Sequence, residues 1–199
     1  MPIYEFENIR PVVDPSAFVH PTASLIGDVI VGPACLVGPG ASLRGDIGRI
    51  VMERGSNVQD NCTVHTFPGK DCIIGPDGHV GHGAVLHGCR LEANAMIGMN
   101  AVVMDDAIVG ENSFVAAMTF VRAGMEIPAN TLVGGIPAKV LRSLSDEEVG
   151  WKSAGTVVYQ RLAHRYLETL GEVQAHLEIE VDRERVPDIM YAPKHEQGH

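Results

Sequence analysis

Aliphatic side chains recur at every sixth residue over most of this chain, and that period restricts the fold more than any other feature. The series runs Val19, Leu25, Val31, Val37 and Leu43, slips by three residues at 45–48, and resumes at Met52, Val58 and Val64. A loop around Phe67-Pro68-Gly69 interrupts it before Ile74, Val80 and Leu86. One step of five then leads to Leu91, Ile97, Val103, Val109, Val115, Val121, Ile127 and Val133. Six is neither the 3.6 of an amphipathic helix nor the 2 of a half-buried strand.

Gly, Ala, Asn and Ser crowd the positions between these heads, as in Ile97-Gly98-Met99-Asn100-Ala101. Such residues suit sharp corners and tolerate positive φ. Each hexad therefore reads as a short strand plus a turn, and three hexads close a triangular coil. Coils stack about 4.8 Å apart with the aliphatic heads pointing inward as ladders. The expectation is a mainly β protein, a parallel β-helix of about six coils, with a C-terminal α-helix packed along it. The expected divisions are an N-terminal cap (1–16), the hexapeptide-repeat β-helix (17–140), a helical region (141–180) and a flexible tail (181–199). Ser145-Asp146-Glu147-Glu148 has the pattern of a capping box opening the helix. Leu162, Tyr166, Leu170, Val173 and Leu177 then extend one apolar stripe, and Gly155 is expected to kink or split it.

Composition agrees. Hydrophobic residues make up 45% and aromatics 5%, so the core is built from Val, Ile, Leu and Ala. The net charge of −10 argues against nucleic-acid or anionic-membrane partners. Cys35, Cys62, Cys72 and Cys89 form no CxxC pair and read as reduced, buried, small side chains. There is no signal-like N-terminus and no apolar run approaching about 18 residues, so a soluble cytoplasmic protein is expected.

Against this repeat, three histidines stand out. Arg44, His65 and His87 each follow a head (Leu43, Val64, Leu86), and those heads lie three steps apart, in one column. The three side chains should project outward from neighbouring coils, about 5 Å apart. His82 stands two places after Val80, on the next face, with Asp60 as its column mate. One metal can be reached by all three imidazoles only if a second subunit supplies His82, which a homotrimer with sites between subunits allows. Three imidazoles and a water are the ligand set of a catalytic zinc site, and Fe2+ or Co2+ could serve as well. A lone histidine in a repeat protein is more often a surface or corner residue. His79 precedes its head and should point elsewhere; His20, His164, His176, His195 and His199 are read as structural or surface.

Arg44-Gly45-Asp46, Asn57-Val58-Gln59-Asp60-Asn61, His65 and the run Gly81-His82-Gly83-Ala84-Val85-Leu86-His87-Gly88 resemble the γ-class carbonic anhydrase family, over residues 10–165 or so. That resemblance implies a left-handed β-helix, zinc on His65, His82 and His87, and an Arg44–Asp60 ion pair between subunits. It also implies that Gln59 hydrogen-bonds the metal's water and that Tyr159 leans over the site. Three positions depart from the anhydrase pattern. Ile47 stands where those enzymes carry a glutamate, the 66–72 loop is short with Asp71 as its acid, and Arg161 replaces an asparagine. The proton-exporting group that a fast anhydrase needs is not evident.

Other stretches, among them Phe18-Val19-His20-Pro21-Thr22-Ala23, Ile73-Ile74-Gly75-Pro76-Asp77-Gly78-His79 and Gly98-Met99-Asn100-Ala101, look most like the phenylacetic acid degradation branch of hexapeptide-repeat proteins, with carnitine-operon proteins as near relatives. This implies a hydrolase of CoA thioesters in phenylacetate catabolism. Gln59 would then orient the attacking water, Arg44 or Tyr159 would stabilise an oxyanion, and Asp46 would accept a proton. The alternatives are a carbonic anhydrase, or an acyltransferase or non-catalytic scaffold. Hexapeptide acyltransferases use one catalytic histidine without a metal triad. Lys139, Arg142, Arg161 and Arg165 are the candidate cations for CoA phosphates.

Overall fold

In a computed structural model, which describes residues 2–186, 191, 192 and 194, every one of the nineteen heads is buried. Leu43 lies opposite Val64 and Val64 opposite Leu86, so the expected column exists. The walls form two sheets of parallel strands that together cover three faces. Strands Ser24–Val31 and Ser42–Met52 run round a corner without a break and so join two of the faces into one twelve-stranded sheet. The third face has eight strands, of which the last is antiparallel, leaving seven parallel rungs rather than the expected six. The other two faces carry seven as well, because Ile3–Tyr4 and Val12–Val13 each add a parallel rung ahead of Ser24–Val31. Asn61, Asn94, Asn100, Asn112 and Asn130 turn the corners at positive φ, as do Asp77 and Asp106. Those short polar side chains tolerate this conformation.

The slip at 45–48 is a bulge in a continuous strand. Gly27 pairs with Gly45, but Val29 pairs with Ile50, so the offset grows from 18 to 21 residues. The displaced residues stand out from the wall, and Arg49 Nε donates to Asp28 Oδ2 at 3.0 Å to pin them.

At the N-terminus, Ile3–Tyr4 and Val12–Val13 pair with Ser24–Val31 and cover the first coil. At the other end, Lys139–Ser143 folds back on Thr131–Gly134 and crosses the boundary expected at 140. The helix spans Asp146–Thr169. Ser145 Oγ accepts from the Glu148 amide at 3.3 Å, and the Glu148 carboxylate accepts from the Ser145 amide at 3.0 Å, completing the capping box. The helix docks through Phe18, Leu36 and Ala163, flanked by Tyr159, Leu162 and Tyr166.

Two expectations about the helix fail. It runs unbroken through Gly155, where a Cβ would come within 2.5 Å of Tyr191 Oη. The glycine thus makes room for a ring and does not break the helix. The apolar stripe also stops early: Leu170 is the C-cap, and Val173 and Leu177 are exposed, without helix. The periodicity continues there, but no wall of the solenoid meets it. Of the expected tail, 181–199, only 181–186, 191, 192 and 194 are described, and His195 and His199 lie outside the described residues.

All four cysteines are buried and free. Among the described residues no helix is long and apolar enough to cross a membrane.

Candidate metal centre

Strands Thr63–His65 and Val85–His87 pair in register, with His65 opposite His87. Each histidine follows an inward-facing head, so its ring projects outward. His65 Nδ1 lies 3.2 Å from His87 Nε2. Two nitrogens bound to one tetrahedral zinc, each at 2.0–2.1 Å, sit about 3.3 Å apart. The observed separation fits that spacing.

The other ring nitrogens are held by carboxylates. His87 Nδ1 lies 2.7 Å from Asp105 Oδ1, and His65 Nε2 lies 3.0 Å from Asp46 Oδ1. Donation of the His87 Nδ1 proton to Asp105 leaves Nε2 with its lone pair facing His65, the tautomer a metal ligand needs. Arg44 Nη1 in turn donates to Asp46 Oδ2 at 2.6 Å. Partial burial pushes the Asp46 carboxyl up, but the hydrogen bonds from Arg44 and His65 outweigh it and hold the group below its usual range. The three-residue bulge is what brings Asp46 to this place.

His82 is elsewhere. Its Nδ1 lies 2.7 Å from Asp60 Oδ2, the column mate expected for it, on a different edge of the triangle. One of its ring nitrogens is thus set against a carboxylate, as in His87. Among the described residues, no three metal-ligating side chains gather within a single chain. Arg44 pairs with Asp46 and Asp60 with His82, so the implied Arg44–Asp60 pair is not formed within one chain.

Gln59 and Tyr159 share the edge of His82. Gln59 is buried, and its Nε2 reaches His79 Nε2 at 2.8 Å and Asn57 Oδ1 at 3.1 Å. The Tyr159 ring stands edge-on to His79, with centroids 5.2 Å apart. Burial raises the Tyr159 phenol above its usual value, with Asp60 and Tyr166 adding to the effect. Burial, with Lys152 and His82 nearby, pushes His79 down to about 3, so this ring is neutral.

The expected residues therefore fall into two separate groups within the chain. Arg44, Asp46, His65 and His87 form one; Gln59, Asp60, His82 and Tyr159 form the other.

Comparison with known proteins agrees with this fold. The chain is 50% identical to the carnitine operon protein CaiE of Salmonella newport over 186 residues, 94% of each sequence. The chain belongs to the hexapeptide-repeat family of CaiE. The family description "Bacterial transferase hexapeptide (six repeats)" matches residues 88–123. A Bacillus cereus protein to which acetyltransferase activity is attributed is 34% identical, with a TM-score of 0.82, over 83% of this chain and 96% of its own. A hexapeptide transferase family protein of Anaplasma phagocytophilum is 36% identical, with a TM-score of 0.80, over 83% and 98%.

Three residues of this family member escaped the sequence reading. Asp105 follows Met104, the column mate of His87 one coil on, so the column rule could have found it. Asn57 and His79 are register partners on strands Asn57–Val58 and His79–Val80. The signal there was polar residues at two matched positions. Of the candidate CoA cations, Arg142 is taken up by a two-pronged bond to Glu148 at 2.7 and 2.8 Å.

Proposed function

We propose that this protein hydrolyses CoA thioesters at a metal centre shared between subunits of a homotrimer. The observation that carries the reading is the in-register pair His65–His87, with Asp105 holding the far nitrogen of His87. His82, carrying its own carboxylate on another edge, supplies the third imidazole from a neighbouring copy. The proposed ligands are His65, His82 and His87, and zinc is the ion their chemistry favours. A zinc ion in such a set lowers the pKa of a bound water to about 7 and polarises a carbonyl.

The remaining work falls to this chain. Asp105 and Asp60 keep the two imidazoles in the ligating tautomer. Asp46, ionised and tied to Arg44, holds the His65 ring and would take a proton from the incoming water. Arg44 presents a fixed cation toward the oxygen that gains charge as water adds to the thioester carbon. Gln59, whose amide nitrogen is held by His79 and Asn57, offers its carbonyl oxygen to the water from the neighbouring half-site, and Tyr159 covers it. The C–S bond then breaks, and the products are a carboxylate and the CoA thiol.

A role in phenylacetate catabolism, like that of the PaaY protein, rests on the resemblance of the sequence motifs. Acyl transfer is the second reading, favoured by the acetyltransferase activity attributed to the Bacillus cereus relative. Both begin with a CoA thioester and differ in the acceptor. The test is thiol release from a panel of CoA thioesters by zinc-loaded protein and by His87→Ala. Release in water alone, lost in the variant, supports hydrolysis. Release only with an added amine or alcohol supports transfer. No release from any thioester, with CO2 hydration in its place, overturns both in favour of an anhydrase.

A further inference from the structure

The amide hydrogens of Gln59 are fully committed. One goes to Asn57 Oδ1 at 3.1 Å and the other to His79 Nε2 at 2.8 Å. A primary amide has two hydrogens to donate, so none is left. Its carbonyl oxygen is the opposite case. No described residue donates to Gln59 Oε1, and among the described residues Thr119 Oγ1 is the one sealed side-chain N or O atom without a partner. Gln59 Oε1 therefore opens outward, from a residue only 2% exposed.

That orientation depends on His79. An imidazole nitrogen accepts only when it carries no proton, so the ring must be neutral with its hydrogen on Nδ1. The surroundings hold it in this state. His79 is the register partner of Asn57, and the Tyr159 ring stands edge-on to it with centroids 5.2 Å apart. Burial, with Lys152 and His82 nearby, keeps a second proton off the ring. The Asn57 amine and the Nδ1 hydrogen then face each other at 3.4 Å as two donors, a contact and not a bond. The other tautomer would reverse the arrangement. Nε2 would donate, both amides would turn over, and Gln59 would point its amine outward.

The two ends of the amide act differently on a water. A carbonyl oxygen accepts one of the water's hydrogens and leaves a lone pair free to attack. An amine donates to that lone pair and competes with the attack.

Resting on the hydrolase reading, we propose that His79 is the positioning residue for Gln59: its Nε2, held as an acceptor, turns the Gln59 carbonyl oxygen toward the attacking water and keeps the amine away.

The tautomer is read directly, by ring-nitrogen NMR of the zinc-loaded oligomer labelled in histidine, with His79→Gln used to assign the signal. Wild-type protein should carry the His79 proton on Nδ1 at pH 7; a proton on Nε2 overturns the proposal. Kinetics on CoA thioesters supply the second arm. His79→Phe removes the acceptor and should lower kcat by about 10–100-fold with KM little changed. In His79→Gln the new carbonyl oxygen reaches the place of Nε2, so most of the rate should return. His79→Asn reaches only the place of Nδ1 and should remain as slow as His79→Phe. Equal losses in His79→Gln and His79→Asn, or an unchanged kcat in His79→Phe, overturn the proposal, since the ring would then only fill space. The tautomer is read in the wild type and so decides the matter even where a variant fails to fold. A proton on Nδ1 in a protein that releases no thiol leaves the hold on Gln59 standing and removes the hydrolase reading.

Discussion

The Asp105 carboxylate lies 2.7 Å from Nδ1 of His87, one coil on and one residue past the column mate Met104. The His87 ring can turn about its own bonds, and this contact fixes which nitrogen faces His65. Asp105→Ala should therefore weaken zinc affinity by about 10–100-fold while the fold persists. Competition with a chromogenic chelator measures it, and unchanged affinity would mean that the carboxylate serves only the coil.

If the site is shared, two inactive variants should complement each other. His87→Ala lacks a ligand of one half-site and His82→Ala a ligand of the other. Mixed at equal amounts, unfolded and refolded together, they should regain about a quarter of the wild-type metal sites and activity, the chance that neighbouring subunits bring both intact halves. Bound zinc, counted after desalting, reads the outcome. A mixture as empty as its parents would argue for a site within one chain.

Lys152 makes helix docking sensitive to pH. Its side chain is buried between helix and solenoid, donating to the Asp77 carbonyl and to Asn94 Oδ1. Burial pushes it from its ordinary 10.5 to about 7, with Asp77 opposing. Between those values the unfolded chain holds the proton and the folded chain does not. Stability should rise with pH across that window, by up to about 1.4 kcal/mol per unit, and the effect should fade below pH 7, where both states are charged. Burial raises Cys35 and Cys62, and these act in the opposite direction near their own ordinary value of 9.0. The clean comparison is therefore urea denaturation of wild type and Lys152→Met between pH 7 and 8.5, where the variant should lose the rise.

Gly48→Ala should disturb the site without touching it. Its methyl would meet a backbone carbonyl at 2.2 Å, which no rotamer can relieve, so the bulge and the 66–70 loop must separate. The expected cost is about 1–3 kcal/mol, read by chemical denaturation, together with faster hydrogen exchange in residues 66–70. A neutral result would show that the two segments are not interlocked.

Much of the fold could be read from residue pattern because the solenoid is nearly one-dimensional. Each head contacts its neighbours one coil away, so counting along the chain gives contacts in space, and His65, His87, Asp60 and His82 fell to their partners by counting alone. The same reasoning failed where contacts leave the column. Leu170, Val173 and Leu177 continue the spacing of the helix stripe, but the wall they would need is absent there. Gly155 looked like a helix breaker until the ring packed on it was seen. By its position before the Val80 head His79 should point away from the candidate residues, whereas it meets Gln59, and the docked helix covers it with Tyr159.

The period of six, by itself, determined a coiled parallel wall, its inward ladder and the adjacency of His65 and His87. These follow from a repeat whose geometry is the same in every coil. The tertiary structure decided what the irregular segments do: the bulge that carries Asp46 to His65, the loop that sets Phe67 against His87, and the helix that buries Lys152 and His79. Insertions and docked elements have no repeat to constrain them, so their positions follow from steric fit and from the hydrogen bonds available where they land.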